Sequence, residues 1–528
     1  MVSNSKISFL KIALLIGAIF LLLPMRLWGQ KGVLELLPGT QKLAYDEKSG
    51  AQKLVGGGVN MNYEGNKIYA DSIFYFEKKK LIKGYGRVQI TKNDSLNLYC
   101  DSIWYFTDKQ NAKLYSNVRV INNDYLLTTK ELDYDAKSGL ASYQNWGKIE
   151  NLVQKEVLTS QRGYLYPNEK NFHFSQKVRY RSDSLAIDTD TLQYKYSQNK
   201  VFFYGETIIR MDSTEMYCNK GWYHTQKQEG VLENNAYVVK SGKQICGDSL
   251  YVNDEKKLAI GRKNVHFIDT LNKVEFLSQK AYFAENENFG YVTDSVLIIY
   301  KLKKDTLYIH SDSVLIYTDT VGKLYQSKLF NDVQIYGKKI QASCDSMVLD
   351  KPLERITMFS EPMLWSQNAE LKADTIHVFM NDSVIKKAEL RQKATVVMEL
   401  DSGNYYNQIG GKYIDAFFSN NELKRAEVKQ NAQTNYFPQD TLRSDTLIEI
   451  QRKGMARLYA SEIRVYLDSG EVLGVTYYQN PDGAFYPLNQ IPKDEQFVKT
   501  FSFNPKFRPK SERNIFIRKR YFREENVK

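Results

Sequence analysis

A local pattern returns along this chain at a nearly constant spacing, and that period restricts the architecture more than any other feature. With Asp71 as the reference, the equivalent positions are Asp101, Lys130, Gln161, Asp190, Asn219, Asp248, Gln279, Asp312, Asp345 and Asp374, 29 to 33 residues apart, then less regularly Gly411 and Ser461. A fixed period of this size marks stacked supersecondary units, each burying its apolar face only against its neighbours. Three residues before the reference stand Ile68, Leu98, Leu127, Met216, Ile245 and Ile309, with Gln408 as the polar exception. Two residues after it come Ile73, Ile103, Leu132, Leu192, Leu250 and Val314, and four after it Tyr75, Tyr105, Tyr134, Tyr194, Tyr223 and Ile316. One residue before it, every unit has a small side chain, from Ala70, Cys100, Thr129 and Ser160 to Cys344, Ala373, Gly410 and Ala460.

Side chains alternate faces along a strand, and offsets -3 and -1 have opposite parity to +2 and +4. The inward face therefore switches at the reference residue, as it does at a β-bulge or sharp bend. Asp-Ser, which favours turns, stands there in Asp71-Ser72, Asp101-Ser102, Asp248-Ser249, Asp312-Ser313 and Asp345-Ser346. A second strand recurs about 17 residues on, near Val88, Val118, Ile149, Val178, Val265 and Val296. Turns such as Asp135-Ala136-Lys137-Ser138-Gly139 separate the two, which fits antiparallel hairpins. The expected fold is all-β: repeated antiparallel two-strand units, each folded over at its bend, forming an elongated β jelly roll with an apolar trough. With about one hairpin per repeat, 12 or 13 units would extend roughly 115 to 125 Å.

Composition agrees with strands. The chain has 38 Tyr and 26 Phe against 11 Pro, and no Pro/Gly/Ser-rich linker divides residues 40–470. Lys6 and Lys11 precede the apolar run Ile12 to Leu23, then Pro24, Arg26 and Gly29, the layout of a secretory signal peptide. The run is too short for the roughly 20 residues of a spanning helix. No Cys follows it to accept a lipid, so export and cleavage near Gly29 or Gln30 are expected. The expected division is a signal peptide at 1–29, a β-repeat array at 30–400, irregular terminal repeats at 401–490 and a basic aromatic tail at 491–528.

Ile68-Tyr69-Ala70-Asp71-Ser72-Ile73 after Gly58-Val59-Asn60-Met61, and Leu98-Tyr99-Cys100-Asp101-Ser102-Ile103 after Gly86-Arg87-Val88, resemble the OstA/LptA-type periplasmic lipopolysaccharide-transport proteins. The long OstA-like proteins of the Bacteroidetes type are the nearest in layout. Each motif is weak by itself; its recurrence over residues 40–400 is what carries the resemblance. The ending, Phe485-Tyr486-Pro487-Leu488 through Arg508-Pro509, also resembles that of the long members. The resemblance implies an OstA-like trough, open along one side, that shields the acyl chains of lipopolysaccharide in the periplasm on the way to the outer membrane. Its implied partners are lipopolysaccharide or a related glycolipid and the jelly-roll domains of the export machinery at the inner and outer membranes; head-to-tail self-association is expected separately, from the strand edge of the first unit. The chain has many more repeats than the short bridge proteins and lacks the several hundred extra residues of an outer-membrane barrel. The expected role is a bridge component.

The residues support lipid handling less specifically. The eighteen apolar residues at offsets -3, +2 and +4 named above are the candidate lining, and affinity would be spread over them at roughly 0.8 kcal/mol per buried CH₂. The small slot has a plainer reading, in which it only lets two sheets approach. Catalytic signals are poor. His173, His224, His266, His310 and His377 occupy different repeat offsets without metal-ligand spacing, and Lys130, Gln161, Asn219 and Gln279 interrupt the reference carboxylates. No enzyme activity, cofactor or metal is expected. Cys218 and Cys246 lie in adjacent units where an oxidising compartment permits a disulfide, with buried free thiols the preferred reading. Of the net +12, residues 491–528 carry +6, interleaved with Phe501, Phe503, Phe507, Phe516, Tyr521 and Phe522. Such a tail suits anionic lipid heads, phosphorylated sugars or an acidic partner, or is a solvated terminus; nucleic acid does not suit an exported chain. An exported β-solenoid adhesin or scaffold is the alternative to a lipid bridge, and a polysaccharide-active β-helix enzyme is third. The first unit, from Leu54 to Tyr63, is expected to offer a free strand edge to a docking partner.

Overall fold

A computed structural model describes residues 34–517 apart from positions 64–65, 93–95, 123–124, 136, 154, 167–168, 170, 225, 303–304, 382–383 and 444–447. The signal-peptide reading falls on residues outside this range. Among the described residues there are strands and short 3-10 turns only, and no helix long and apolar enough to cross a membrane. The chain forms two compact units, 1–258 and 259–528.

The first unit starts with β1 (Leu34–Leu36), β2 (Lys42–Asp46), β3 (Ala51–Tyr63), β4 (Asn66–Phe76), β5 (Leu81–Lys92), β6 (Leu96–Phe106), β7 (Asn111–Asn122) and β8 (Tyr125–Asp135). From β3 onward each strand pairs antiparallel with the next. The same succession continues to Lys243–Asn253. In the second unit it runs from Val274–Ala284 to Glu471–Tyr478 and Asp482–Pro487, which share the partner strand Gly454–Asp468. The repeat is thus one hairpin step of an antiparallel stack, as its period predicts.

The parity switch is directly visible. In β8, Tyr125, Leu127, Thr129 and then Leu132 are buried, with the alternation reset at Lys130. In Leu185–Lys195 it is reset at Asp190. The cause lies on the neighbouring strand rather than in an Asp-Ser turn. Opposite each reference residue the partner inserts a bulge, usually of two left-handed residues: Gly86 and Arg87, Ser116 and Asn117, Gln176 and Lys177, Asn234 and Asn235, Lys263 and Asn264, Asp294 and Ser295. Ladder registers break at these places. Left-handed backbone favours Gly, Asn and Asp, and Gly86, Asn117, Asn234, Asn235, Asn264 and Asp294 supply it, whereas Gln176 and Lys177 adopt it without that preference. Asp stays in its strand and holds the bulge from across the ladder. Asp71 accepts from Arg87 at 2.7 Å, and Asp101 from the Asn117 amide at 2.7 Å.

The small slot seals the fold-over edge. Ala70, Cys100, Ser160, Cys218, Ser311 and Cys344 are all buried, and Val59, Val88, Val118, Val178, Val296 and Val333 alternate with them along the bend. Where the slot holds a hydroxyl, it donates to the backbone carbonyl two residues on: Thr129 to Glu131, Ser160 to Arg162, Thr189 to Thr191, Ser278 to Lys280 and Ser311 to Ser313, at 3.0 to 3.3 Å. The plainer reading of this slot, close approach of two sheets, is the one the geometry supports. All four cysteines are free thiols; Cys246, out of the slot, is half-buried and accepts from Gln244.

Two further expectations need correction. The register of the Gly411 unit is displaced by one residue. Ala394 faces Gly411 and Arg391 faces Tyr413, so Lys412 stands at the bend, Gly411 takes the small slot and Ile409 the offset -3 position. Gln408 then faces outward and is no exception. The edge of β3 is not free, because β1 pairs with Met61 to Tyr63 and β2 with Ala51 to Val55. The outer edge of the first unit is instead made by these two short strands, whose Leu36, Leu43 and Tyr45 are exposed.

Candidate lipid-binding interior

The two half-sheets of each fold-over face each other through the offset -3, +2 and +4 residues, and their burial changes along the first unit. Ile68, Tyr75, Leu98, Ile103, Tyr105, Tyr134 and Tyr223 are half-buried, while Ile73, Leu127, Leu132, Leu192, Tyr194, Met216, Ile245 and Leu250 are buried. In the second unit Ile309 is half-buried and Val314 and Ile316 are buried. The predicted lining therefore divides in two. In the hairpins of β4 to β7 all of it but Ile73 stays half-buried; farther along, most of it is buried by its own side chains, with Tyr134, Tyr223 and Ile309 the half-buried exceptions.

The unit after β8 shows how closure is achieved. Leu140–Tyr143 and Gly147–Asn151 flank the Tyr143 ring, which is fully buried. A Cβ added at Gly147 or Gly163 would lie within 2.5 Å of that ring, so both positions are glycine to admit it. The Tyr143 hydroxyl bonds the slot residue Ser160 at 2.7 Å, and burial raises its pKa. Tyr143 thus fills the interior at this level, where the offset +2 position offers no side chain. Beyond it, Leu185, Ile187, Val201, Phe203, Ile209, Met216 and Leu232 surround a cavity of about 30 Å³, large enough for one methyl-sized group. At its lip the Tyr223 hydroxyl lies 2.8 Å from the Asp254 carboxylate, which burial pushes above its ordinary pKa.

The histidines serve separate contacts: His266 with Glu275 at 3.0 Å, His377 with Thr357 at 3.1 Å, and His310, buried, with the Val296 carbonyl at 3.0 Å.

The outward face of the second unit holds a feature that composition concealed. Residues 491–517 of the basic tail run as an irregular strap over successive strands, and polar side chains replace a β-ladder in satisfying its backbone. The Gln408 amide donates to the Gln496 carbonyl at 3.0 Å and accepts from Val498 N at 2.9 Å. Asn435 donates to the Glu495 carbonyl at 2.8 Å, and Thr395 to the Thr500 carbonyl at 2.7 Å. The buried Glu370 carboxylate, its pKa raised by desolvation, accepts from Trp365 at 2.9 Å and from Asn504 N at 3.0 Å. Arg508 reaches Gln341 and the Gln367 carbonyl at 2.9 and 2.8 Å. Within the strap Val498 and Ile515 are buried, and Phe501 and Phe503 gather round Tyr406. Over these residues the tail is a packed part of the second unit.

The family model of the OstA-like proteins matches positions 36–190, the stretch that contains the accessible part of the interior. Residues 36–190 are OstA-like. Among solved structures, the chain is similar to LptH of Pseudomonas aeruginosa, described as the LptA-homologous periplasmic component of the lipopolysaccharide transport device. Identity is 13%, the match covers 22% of this chain and 94% of LptH, and the TM-score is 0.21. No curated protein sequence matches significantly. The OstA-like segment ends at the bend of Asp190, and the same hairpin step, bulge and sealed small slot continue beyond it in residues 191–258.

Proposed function

We propose that this protein is an exported lipid-binding bridge of the lipopolysaccharide-transport type, acting in the periplasm and holding acyl chains between the half-sheets of its OstA-like segment. The observation that carries this reading is the accessible apolar interior formed by Ile68, Tyr75, Leu98, Ile103 and Tyr105 within that segment. An acyl chain entering there gains roughly 0.8 kcal/mol per buried CH₂ without any decisive residue, as a carrier that must also release its cargo requires. The remaining lining residues join the path where the half-sheets part. Docking to jelly-roll domains of the export machinery, or to a second copy, would use the short outer strands β1 and β2, whose exposed Leu36, Leu43 and Tyr45 suit strand addition.

Site-specific photocrosslinking in cells tests the reading. A benzophenone side chain at Leu98 or Tyr105 should give lipopolysaccharide adducts, and one at outward Asp133 should give none. Equal yields at all three positions would refute it.

A further inference from the structure

We propose that the outer face of the first hairpins is a docking surface for an anionic lipid bilayer. One row of side chains crosses β3 to β7 in register: Lys53, Phe74, Lys83, Trp104, Lys113. It occupies offset +3 and its partners, opposite in parity to the lining, and so lies on the outside of the stack. Cations and aromatic rings alternate along it. Lys53 Nζ is 5.3 Å from the centre of the Phe74 ring, and Lys83 Nζ is 3.7 Å from that of Trp104. Tyr85, exposed, meets Phe74 edge to face at 5.8 Å, and Tyr115 meets Trp104 at 5.4 Å.

The turns after β4 and β6 extend this row into a second dimension. They are neighbours, Thr107 N donating to the Lys80 carbonyl at 2.8 Å. They carry exposed Lys78, Lys79, Lys80 and Lys109, with Lys79 and Lys109 set 5.7 and 6.0 Å over Phe76 and Phe106. Against these seven lysines the two turns supply only Glu77 and Asp108. On the next strands the row changes to Asp133, Ser142, Tyr164 and His173, which bounds the patch. Asp133 pairs with Lys113 at 3.5 Å.

Lys53, Lys83 and Lys113 are two strands apart in sequence, about 10 Å at each step. With the turn lysines they make an areal array of positive charge over rings with polar edges. A single linear polyanion would engage one line of it; a sheet of anionic headgroups engages both dimensions. Tyr and Trp favour the headgroup level, and each lysine near such a surface contributes about five-fold to partitioning. The surface is separate from the interior, so its failure leaves the proposed lipid path standing.

The test is sedimentation of the full mature chain with vesicles. It should partition to phosphatidylethanolamine vesicles containing phosphatidylglycerol, bind phosphatidylcholine vesicles far less, and release with added salt. The variant Lys53→Ser/Lys83→Ser/Lys113→Ser should lose at least about ten-fold. The turn variant Lys78→Ser/Lys79→Ser/Lys80→Ser, which leaves the row intact, should lose as much while melting like the parent. Leu98→Asp should not alter vesicle binding. Wild-type partitioning by the turn variant, equal binding to neutral and anionic vesicles, or retention by a soluble acidic polysaccharide without vesicle binding would each overturn the proposal.

Discussion

A chain truncated after Gln490 should unfold its second unit about 10 °C or more below the intact protein. The strap buries Val498 and Ile515, each contributing roughly 1.5 to 3 kcal/mol. It also hydrogen-bonds Glu370 and Gln408, and handing those bonds over to water costs about 0.5 to 1.5 kcal/mol each, more for the carboxylate. The total is on the order of 5 kcal/mol, and for a unit of this size each kcal/mol moves the midpoint about 2 to 4 °C. Val498→Asp and Ile515→Asp should each reproduce part of the shift in the full chain. Differential scanning calorimetry reads both, and a shift below about 2 °C on truncation would mean that the strap is a surface ornament.

The second large effect separates filled from accessible lining. Leu192 is buried between half-sheets, so Leu192→Asp places an unpaired carboxylate against apolar neighbours and should cost at least about 4 kcal/mol. Leu98→Asp, at a half-buried position, can hydrate its carboxylate and should cost less than about 1.5 kcal/mol while abolishing lipid capture. Urea unfolding followed by tryptophan fluorescence gives the first quantity, and adduct yield from a benzophenone at Tyr105 gives the second. Equal stability losses at the two sites would show that the interior does not divide as described.

Much of this architecture was legible because each rung repeats the same physics. A parity switch in one strand demands a bend, and the small side chains of Ala70, Cys100 and Ser160 beside it left two readings open, of which their burial supports the plainer, close approach of two sheets. The Gly410-Gly411 pair misled by one residue because either glycine suits the small slot; only the pairing of Ala394 with Gly411 decides between them. The partition of the lining was illegible for a different reason. Leu98 and Leu127 occupy the same offset and differ in burial through their surroundings. Tyr143 fills space that Gly147 and Gly163 vacate, Gly163 from a different strand. The strap was hidden because Gln341, Glu370 and Gln408 share offset -4 with Glu215, Gln244 and Glu275, which remain half-buried without any strap. Which of two similar outward rows is covered depends on where the tail returns, and local periodicity carries no record of that. The edge of β3 was misjudged because β1 is only three residues long, too short to register as a strand by alternation.

The central claim is that this chain carries lipid between its half-sheets. Gentle isolation of the protein from its native envelope, followed by mass spectrometry of the intact complex and of its extracted lipid, tests it directly. The expected result is a multiply acylated glycolipid on the parent protein, with occupancy strongly reduced in a folded Leu98→Asp variant. A parent protein that emerges free of lipid, or a variant carrying as much as the parent, would contradict the account.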